Sequence, residues 1–191
     1  MNKIDPEAIV RQYIDAKDNH RWDEVVSLLD PEFTSTDPAI PEPVKGIEAI
    51  SKAFPILEHV YMKTEILMMA SKDEDVAAEL AVTCAFEKPI DVLLRALREG
   101  AEPNDDSDSA TALPTGPSFV FKFAKFYKVN SKGLLVEERE YSDTAAKFAL
   151  LGPEAAAQFR ALGEEAATDF QALFTDVTTH FEVPGQPPTG R

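Results

Sequence analysis

Cations, cysteine and histidine are all scarce in this chain. Nineteen lysines and arginines stand against 34 aspartates and glutamates, a formal net charge of −15 at pH 7. Phosphate recognition needs clustered cations, so this balance argues against nucleic acid and against an anionic membrane surface. The acidic excess fits a soluble, self-repelling surface. The single cysteine, Cys84, permits no internal disulfide, which fits a reducing compartment. It lies among Val76, Leu80, Val82 and Phe86 and reads as an inert buried thiol. The three histidines, His20, His59 and His180, are far apart and lack metal-ligand spacing such as HxH or HExxH. Eight glycines form neither GxGxxG nor GxxxxGK, and no GxSxG elbow is present. Nucleotide cofactors and serine-hydrolase chemistry are therefore disfavoured, and neither cofactor nor metal is expected. No apolar run approaches the roughly 20 residues of a membrane helix. The opening MNKIDPEAIVRQY lacks the apolar stretch of a signal peptide. The expected address is cytoplasmic, with no membrane partner.

What is present is enough for one ordinary domain: 191 residues, 44% of them hydrophobic, with twelve Phe against one Trp and four Tyr. Asp5-Pro6-Glu7 reads as a helix start, with a capping carboxylate, a proline in the first turn and an acid at the positive dipole end. Ile9, Val10, Tyr13, Ile14 and Ala16 follow at helical spacing. A second short helix is predicted over Trp22 to Leu29, stopped by Asp30-Pro31. Phe33 to Val44 holds three prolines and reads as a loop. Gly46 opens a third helix carrying Ile47, Ile50 and Phe54, with Pro55 near its end.

From Val60 the pattern turns β-like. Val76, Ala78, Leu80, Val82, Cys84 and Phe86 alternate with their neighbours as a half-buried strand does. This strand pairs naturally with Tyr61 to Ala70 through the polar turn Ser71 to Asp75. Ile90 to Arg98 reads as a short helix, and Gly100 to Ala112 as an exposed acidic loop. Two more strands, Phe119 to Val129 and Leu134 to Tyr141, flank Asn130-Ser131-Lys132-Gly133. A closing helix after Asp143, a last helix from Pro153 to about Thr175 and a Pro/Gly-rich tail complete the chain. Helices grouped apart from hairpin-joined strands indicate an α+β fold.

Several segments, in this order, resemble the SnoaL-like polyketide cyclase family. YIDAKDNHRWDEVVSLLDPEFTSTDPA is similar to that family's opening helix pair and aspartate-proline segment, and KGIEAI to its third-helix entry. LPTGPSFVFKFAKFYKVNSKGLLVEEREYSDTAAKFALLG resembles its last two strands and closing helix, with Pro-Thr-Gly before the strand and Tyr-x-Asp after it. The resemblance implies a SnoaL-like domain over residues 1–152, with an insertion at about 88–116. Residues 153–175 would form a C-terminal helical extension and 182–191 a flexible tail. It also implies the cone-shaped nuclear transport factor 2-like (cystatin-like) roll, a curved antiparallel sheet wrapped around N-terminal helices. That roll encloses a deep apolar cavity for a hydrophobic small molecule, and relatives often pair as homodimers. Fold alone does not give function.

The last hairpin supplies the candidate site. If Ser131-Lys132-Gly133 is a three-residue loop with Gly133 in the left-handed position, Asn130 pairs with Leu134. Tyr127 then faces Glu137, Lys125 faces Arg139, Phe123 faces Tyr141, and Phe121 faces Asp143. Strand periodicity puts all eight on one face. The resemblance implies that this face lines the cavity and that Asp143, in the Tyr-x-Asp segment, is the general acid/base. In an apolar pocket its pKa would rise by desolvation; the alternative is a helix N-cap. Lys125 stands where a histidine often does in the family, and Arg139 where an aromatic residue is common. Together they favour a ligand bearing a carboxylate or enolate; the alternative is a solvated ion cluster with the register slipped by one residue. Asp37, Trp22 and Tyr13 are further lining candidates, with a loop turn and helix packing as their alternatives.

Three readings stay open. One is a cofactor-free cyclase, isomerase or hydrolase acting on a hydrophobic carbonyl compound, with Asp143 as acid/base and Lys125 or Arg139 steadying the enolate. The others are a binding protein with the same cavity and a protein-interaction module.

Overall fold

The computed structural model describes residues 4–38, 42–88 and 119–143, together with Ala145. The expected insertion at about 88–116, the closing helix, the C-terminal helical extension and the tail lie outside the described residues.

The first helix, α1 (Pro6–Asp18), begins as the sequence prescribes. The Asp5 carboxylate accepts from the backbone N–H of Glu7 at 3.1 Å and of Ala8 at 3.3 Å. Its buried face is Val10, Tyr13, Ile14 and Ala16. α2 (Trp22–Ser27) is shorter than expected, because Leu29 already belongs to a strand. That strand, β1 (Leu29–Thr36), corrects the loop expected from Phe33 onward. Pro31 sits inside it, and the pairing shifts between Leu29 and Thr34, an irregular stretch of the kind that tolerates proline in a strand. Phe33 in this strand is fully buried and lies against the Tyr13 ring, with centroids 6.5 Å apart.

The short strand β2 (Val44–Lys45) pairs with β1. The single third helix expected from Gly46 is two, α3 (Ile47–Ser51) and α4 (Phe54–Leu57). Pro55 lies in the first turn of α4, where a missing N–H costs nothing.

Four long strands follow: β3 (Val60–Lys72), β4 (Asp75–Phe86), β5 (Phe119–Val129) and β6 (Leu135–Tyr141). The six strands form one curved, unclosed sheet in the order β2-β1-β6-β5-β4-β3. All pairs are antiparallel except β1 with β6, which run parallel. Helix α1 lies against β3, β4 and β5 and supplies one side of the core. The alternation read along Val76–Phe86 is the true one: Val76, Ala78, Leu80, Val82 and Cys84 all face the core. The architecture is α+β, as expected. No helix among the described residues is long and apolar enough to cross a membrane.

The register of the last hairpin differs from expectation. Its turn is as read, with Gly133 at φ 80° and Asn130 N–H donating to the Leu134 carbonyl at 2.8 Å. Val129 then pairs with Leu135, but Lys128 pairs with Glu137, so Val136 is an extra residue on β6. Beyond this bulge every partner moves by one: Tyr127 pairs with Glu138, Lys125 with Glu140, Phe126 with Arg139 and Ala124 with Tyr141. A one-residue slip exchanges the two faces of a strand. Glu138 and Glu140 therefore turn inward and are buried, while Arg139 and Tyr141 are exposed on the outer face.

Replacing Phe33 by alanine is expected to cost about 3–5 kcal/mol in urea unfolding, the range for emptying a buried aromatic site. Phe126→Ala, on the exposed outer face, is expected to cost about 1 kcal/mol or less. Equal losses would show that β1 does not carry the core.

Candidate functional site

A cavity of about 380 Å³ lies between α1 and the inner face of the sheet. That is toward the small end of the roughly 300–1,000 Å³ typical of small-molecule sites. Cross-strand pairing sets its lining. Thr64, Val82 and Phe121 form one row across β3, β4 and β5, and Leu80 and Phe123 are paired in the next. Phe121 and Phe123 stack at 5.3 Å between centroids. Ile14, Leu57, Met62 and Cys84 complete the apolar wall.

The polar end is built from four elements. Ala78 stands opposite Lys125, so a small residue leaves room for the lysine. Lys125 Nζ lies 3.3 Å from Glu138 Oε2 and 3.7 Å from Glu140 Oε2. Ser35 is the register partner of Glu138 across the parallel β1–β6 pair, and its hydroxyl donates to Glu138 Oε1 at 2.8 Å. From α1 the Tyr13 hydroxyl donates to Glu138 Oε2 at 3.4 Å. Tyr127, next along the β5 face, has its ring edge-on to that of Tyr13 at 6.3 Å. Its hydroxyl makes no hydrogen bond to another described residue, although the residue is only 3% exposed and lines the cavity.

Lys17 lies one turn beyond Tyr13 on α1, with its ammonium 5.1 Å from the Tyr13 ring centroid. It also lines the cavity. The carboxylate of the neighbouring Asp18 is taken up by Thr64, accepting from its N–H at 2.6 Å and its hydroxyl at 2.8 Å.

These groups fix one another's charge. Burial alone would push the Glu138 carboxyl up, but Lys125, Lys17 and the Ser35 hydroxyl hold it down, to about 2. Burial alone would push Lys125 down, and Glu138, Tyr127 and Glu140 more than reverse it, so its ammonium is held above the ordinary range. Both tyrosines are pushed up, by burial first; Glu138 supports this at Tyr13, and at Tyr127 Lys125 opposes it while Glu138 and Glu140 support it, so each hydroxyl stays a donor. Lys17 goes the other way. Burial lowers it, Lys125 lowers it further, and Glu138, Glu140 and Asp18 offset this only in part.

The expected site residues divide between two faces. Tyr13, Asp37, Phe121, Phe123, Lys125 and Tyr127 line the cavity. Glu137, Arg139 and Tyr141 do not, because of the Val136 bulge. Arg139 lies 3.5 Å from Glu137 and stacks over the exposed Phe126 ring at 6.0 Å. The facing cations expected from Lys125 and Arg139 are therefore on opposite sides of the sheet. Asp143 is exposed beyond the end of β6, so the apolar burial assumed for it is not met. Trp22 is stacked between His20 and Phe54, at 5.4 and 4.6 Å, and donates to Glu58. It is not part of the cavity lining. Sequence reasoning missed Lys17, Ser35, Glu138 and Glu140. The available signal was Lys125 itself: a lysine on a face shared with Phe121, Phe123 and Tyr127 requires a carboxylate partner.

The sequence profile described as SnoaL-like domain matches residues 10–138. No curated protein sequence gives a match. Among solved structures, a candidate polyketide cyclase from Xanthomonas campestris pv. campestris has a TM-score of 0.58 at 14% identity, covering 77% of this chain and 96% of that one. An epoxide hydrolase from Mycobacterium tuberculosis, of the LEH-like type, has a TM-score of 0.55 at 14% identity, covering 75% and 82%. A second M. tuberculosis protein, crystallised with estradiol-17β-hemisuccinate, has a TM-score of 0.52 at 14% identity, covering 72% and 93%. At these identities the likeness shows the fold alone.

The charge cluster predicts an acid limb of stability. Glu138 falls from 4.5 in an unfolded chain to about 2 when folded. Its contribution is complete above about pH 5 and is lost as pH falls toward 2. Glu138→Gln should flatten the decline of Tm over that window in a pH series of thermal melts. Lys125→Met should cost about 3–5 kcal/mol at pH 7, because it removes the ammonium that lies within 4 Å of both Glu138 and Glu140. Part of that loss should be regained at pH 5. A Lys125→Met protein as stable as wild type at pH 7 would contradict the pairing.

Proposed function

The chain belongs to the SnoaL-like domain family, and we propose that its cavity takes up a hydrophobic carbonyl compound, with the carbonyl oxygen held at the polar end. The observation that carries this reading is Tyr127: the residue lines the cavity, its hydroxyl stays protonated, and that hydroxyl is hydrogen-bonded to none of the described residues. A buried donor without an acceptor costs free energy unless a ligand or water satisfies it. A carbonyl oxygen is the acceptor that an otherwise apolar ligand brings. The Lys125 ammonium beside it adds positive potential without needing to transfer a proton.

In a cofactor-free cyclase or isomerase, the same two groups stabilise the negative charge that develops on the oxygen as a neighbouring C–H is deprotonated. Glu140, at the same end of the cavity, is the carboxylate we assign to accept that proton. Asp143 and Arg139, favoured from the sequence, are not assigned these roles because neither lines the cavity.

A second reading, ligand binding without turnover, is supported by Glu138. With its carboxyl at about 2 and its oxygens engaged by Lys125, Ser35 and Tyr13, it is a poor base, so much of the cluster holds charge rather than moving protons.

Calorimetric titration with 2-acetonaphthone and with 2-ethylnaphthalene, which has no oxygen, tests the reading. Tyr127→Phe should weaken the ketone about 5- to 10-fold, the worth of one hydrogen bond of about 1 kcal/mol or slightly more, and leave the hydrocarbon unchanged. Equal weakening of both ligands would refute the assignment of the oxygen to Tyr127. Deuterium exchange at the ketone's methyl group, followed by proton NMR, separates the two modes. Exchange above the buffer rate that is lost in Glu140→Gln means catalysis, and exchange at the buffer rate means binding alone.

A further inference from the structure

Among the described residues two lysines line the cavity, and their surroundings differ. Lys125 is committed, within 4 Å of both Glu138 and Glu140. The Lys17 ammonium has neither an ion pair nor a hydrogen bond among the described residues, and it lies 5.1 Å from the centroid of the Tyr13 ring. The carboxylate adjacent to it in sequence, Asp18, is engaged by Thr64 through two hydrogen bonds. The titratable groups that act on Lys17 come from every wall of the site. They are Tyr13 and Asp18 on α1, Lys125 on β5, and Glu138 and Glu140 on β6. Loss of water is the largest influence and, with Lys125, outweighs Glu138, Glu140 and Asp18, so the Lys17 ammonium gives up its proton more readily than an ordinary lysine. An amine set in an apolar cavity beside another cation is the arrangement that activates lysine as a nucleophile.

We propose that Lys17 forms a reversible imine with an aldehyde or ketone bound in the cavity. This rests on the carbonyl-binding reading above and names the residue that reacts. The Nζ lone pair attacks the carbonyl carbon, and the C–O π pair moves to oxygen, giving a carbinolamine. The C–O bond then breaks as the C=N bond forms. Overall, both hydrogens of the neutral amine leave with the oxygen as water, so nothing is oxidised or reduced. The Tyr127 hydroxyl, free to donate, is placed in the same cavity to hydrogen-bond the departing oxygen. Taking up one proton from solvent, the imine nitrogen becomes cationic and draws electrons from the adjacent carbon, so a neighbouring C–H is acidified without a metal or cofactor taking part.

The test is reductive trapping of the full-length protein at pH 7 with 2-naphthaldehyde and sodium cyanoborohydride, which reduces an imine to a stable secondary amine. Peptide mass spectrometry then locates the adduct. Lys17 should be labelled at least tenfold faster than the exposed Lys52 and Lys132, and excess 2-ethylnaphthalene should suppress that labelling. Lys17→Arg should abolish the fast adduct while still binding 2-ethylnaphthalene in calorimetry. If 2-ethylnaphthalene binds but Lys17 is labelled only at the rate of the surface lysines, or Lys125 is labelled instead, the imine is refuted and the cavity reading stands. If 2-ethylnaphthalene does not bind and Lys17 is not labelled, the cavity reading falls and the imine falls with it.

Discussion

A lysine ammonium on an apolar sheet face is tolerated only where carboxylates reach it, and the polar end of this cavity is organised by that demand. Strand periodicity leaves Lys125 no other face, since Phe121, Phe123 and Tyr127 share it and pack inward. The carboxylates come from β6, and they arrive only because Val136 is passed over in the pairing. Without that extra residue, β6 would present Glu137, Arg139 and Tyr141 to the interior. An arginine would then oppose the lysine in a low-dielectric space. The bulge exchanges this repulsion for two attractions.

Glu138 in turn binds the secondary elements together. It accepts from Lys125 on β5, Ser35 on β1 and Tyr13 on α1. A carboxylate with three donors from three elements positions the helix over the sheet more specifically than apolar contact does, because apolar contact has no direction. It also helps to hold β1, a strand that carries Pro31. The strand is held by its neighbours, β2 on one side and β6 on the other, and by the buried Phe33. Buried pairs of this kind add little net stability, yet they are costly to break. Their structural effect here is to fix which groups face the cavity and in which charge state.

This division accounts for what could be read from the sequence. The start of α1 was legible because Asp5-Pro6-Glu7 carries its own capping chemistry. The face of β4 was legible because alternation from Val76 to Cys84 is local. The turn at Asn130 to Gly133 was legible because a left-handed residue was needed and a glycine was present. The inner face of β5 followed from the period of two alone. β1 was not legible, since its hydrogen bonds are to strands distant in sequence, while Pro31 and the prolines after it argue locally for a loop. The partners of Lys125 were lost for a related reason. A bulge is chosen by the fit of the whole sheet, and a one-residue shift in β6 moves the charged and aromatic side chains from Glu137 to Tyr141 across it. Asp143 carried the weight of the family resemblance, but the resemblance transfers a position and not an environment, and here that position is exposed.

The two cavity lysines show how far environment outweighs residue type. Both stand on apolar walls, and both lose hydration on folding. For Lys125 the loss is more than repaid by two carboxylates in contact, so its charge is permanent over the pH range in which the protein folds. A permanent charge can stabilise an oxyanion, but it cannot give up a proton and recover it. Lys17 is close enough to the same carboxylates to feel them and too weakly coupled to be fixed by them. Chemistry that breaks and remakes bonds needs a group of the second kind beside groups of the first. The fixed charges set the field, and the uncommitted amine responds to whatever the ligand presents. The cavity holds both because the Val136 bulge brings Glu138 and Glu140 within 4 Å of Lys125, while Lys17 feels the same carboxylates without an ion pair to either among the described residues.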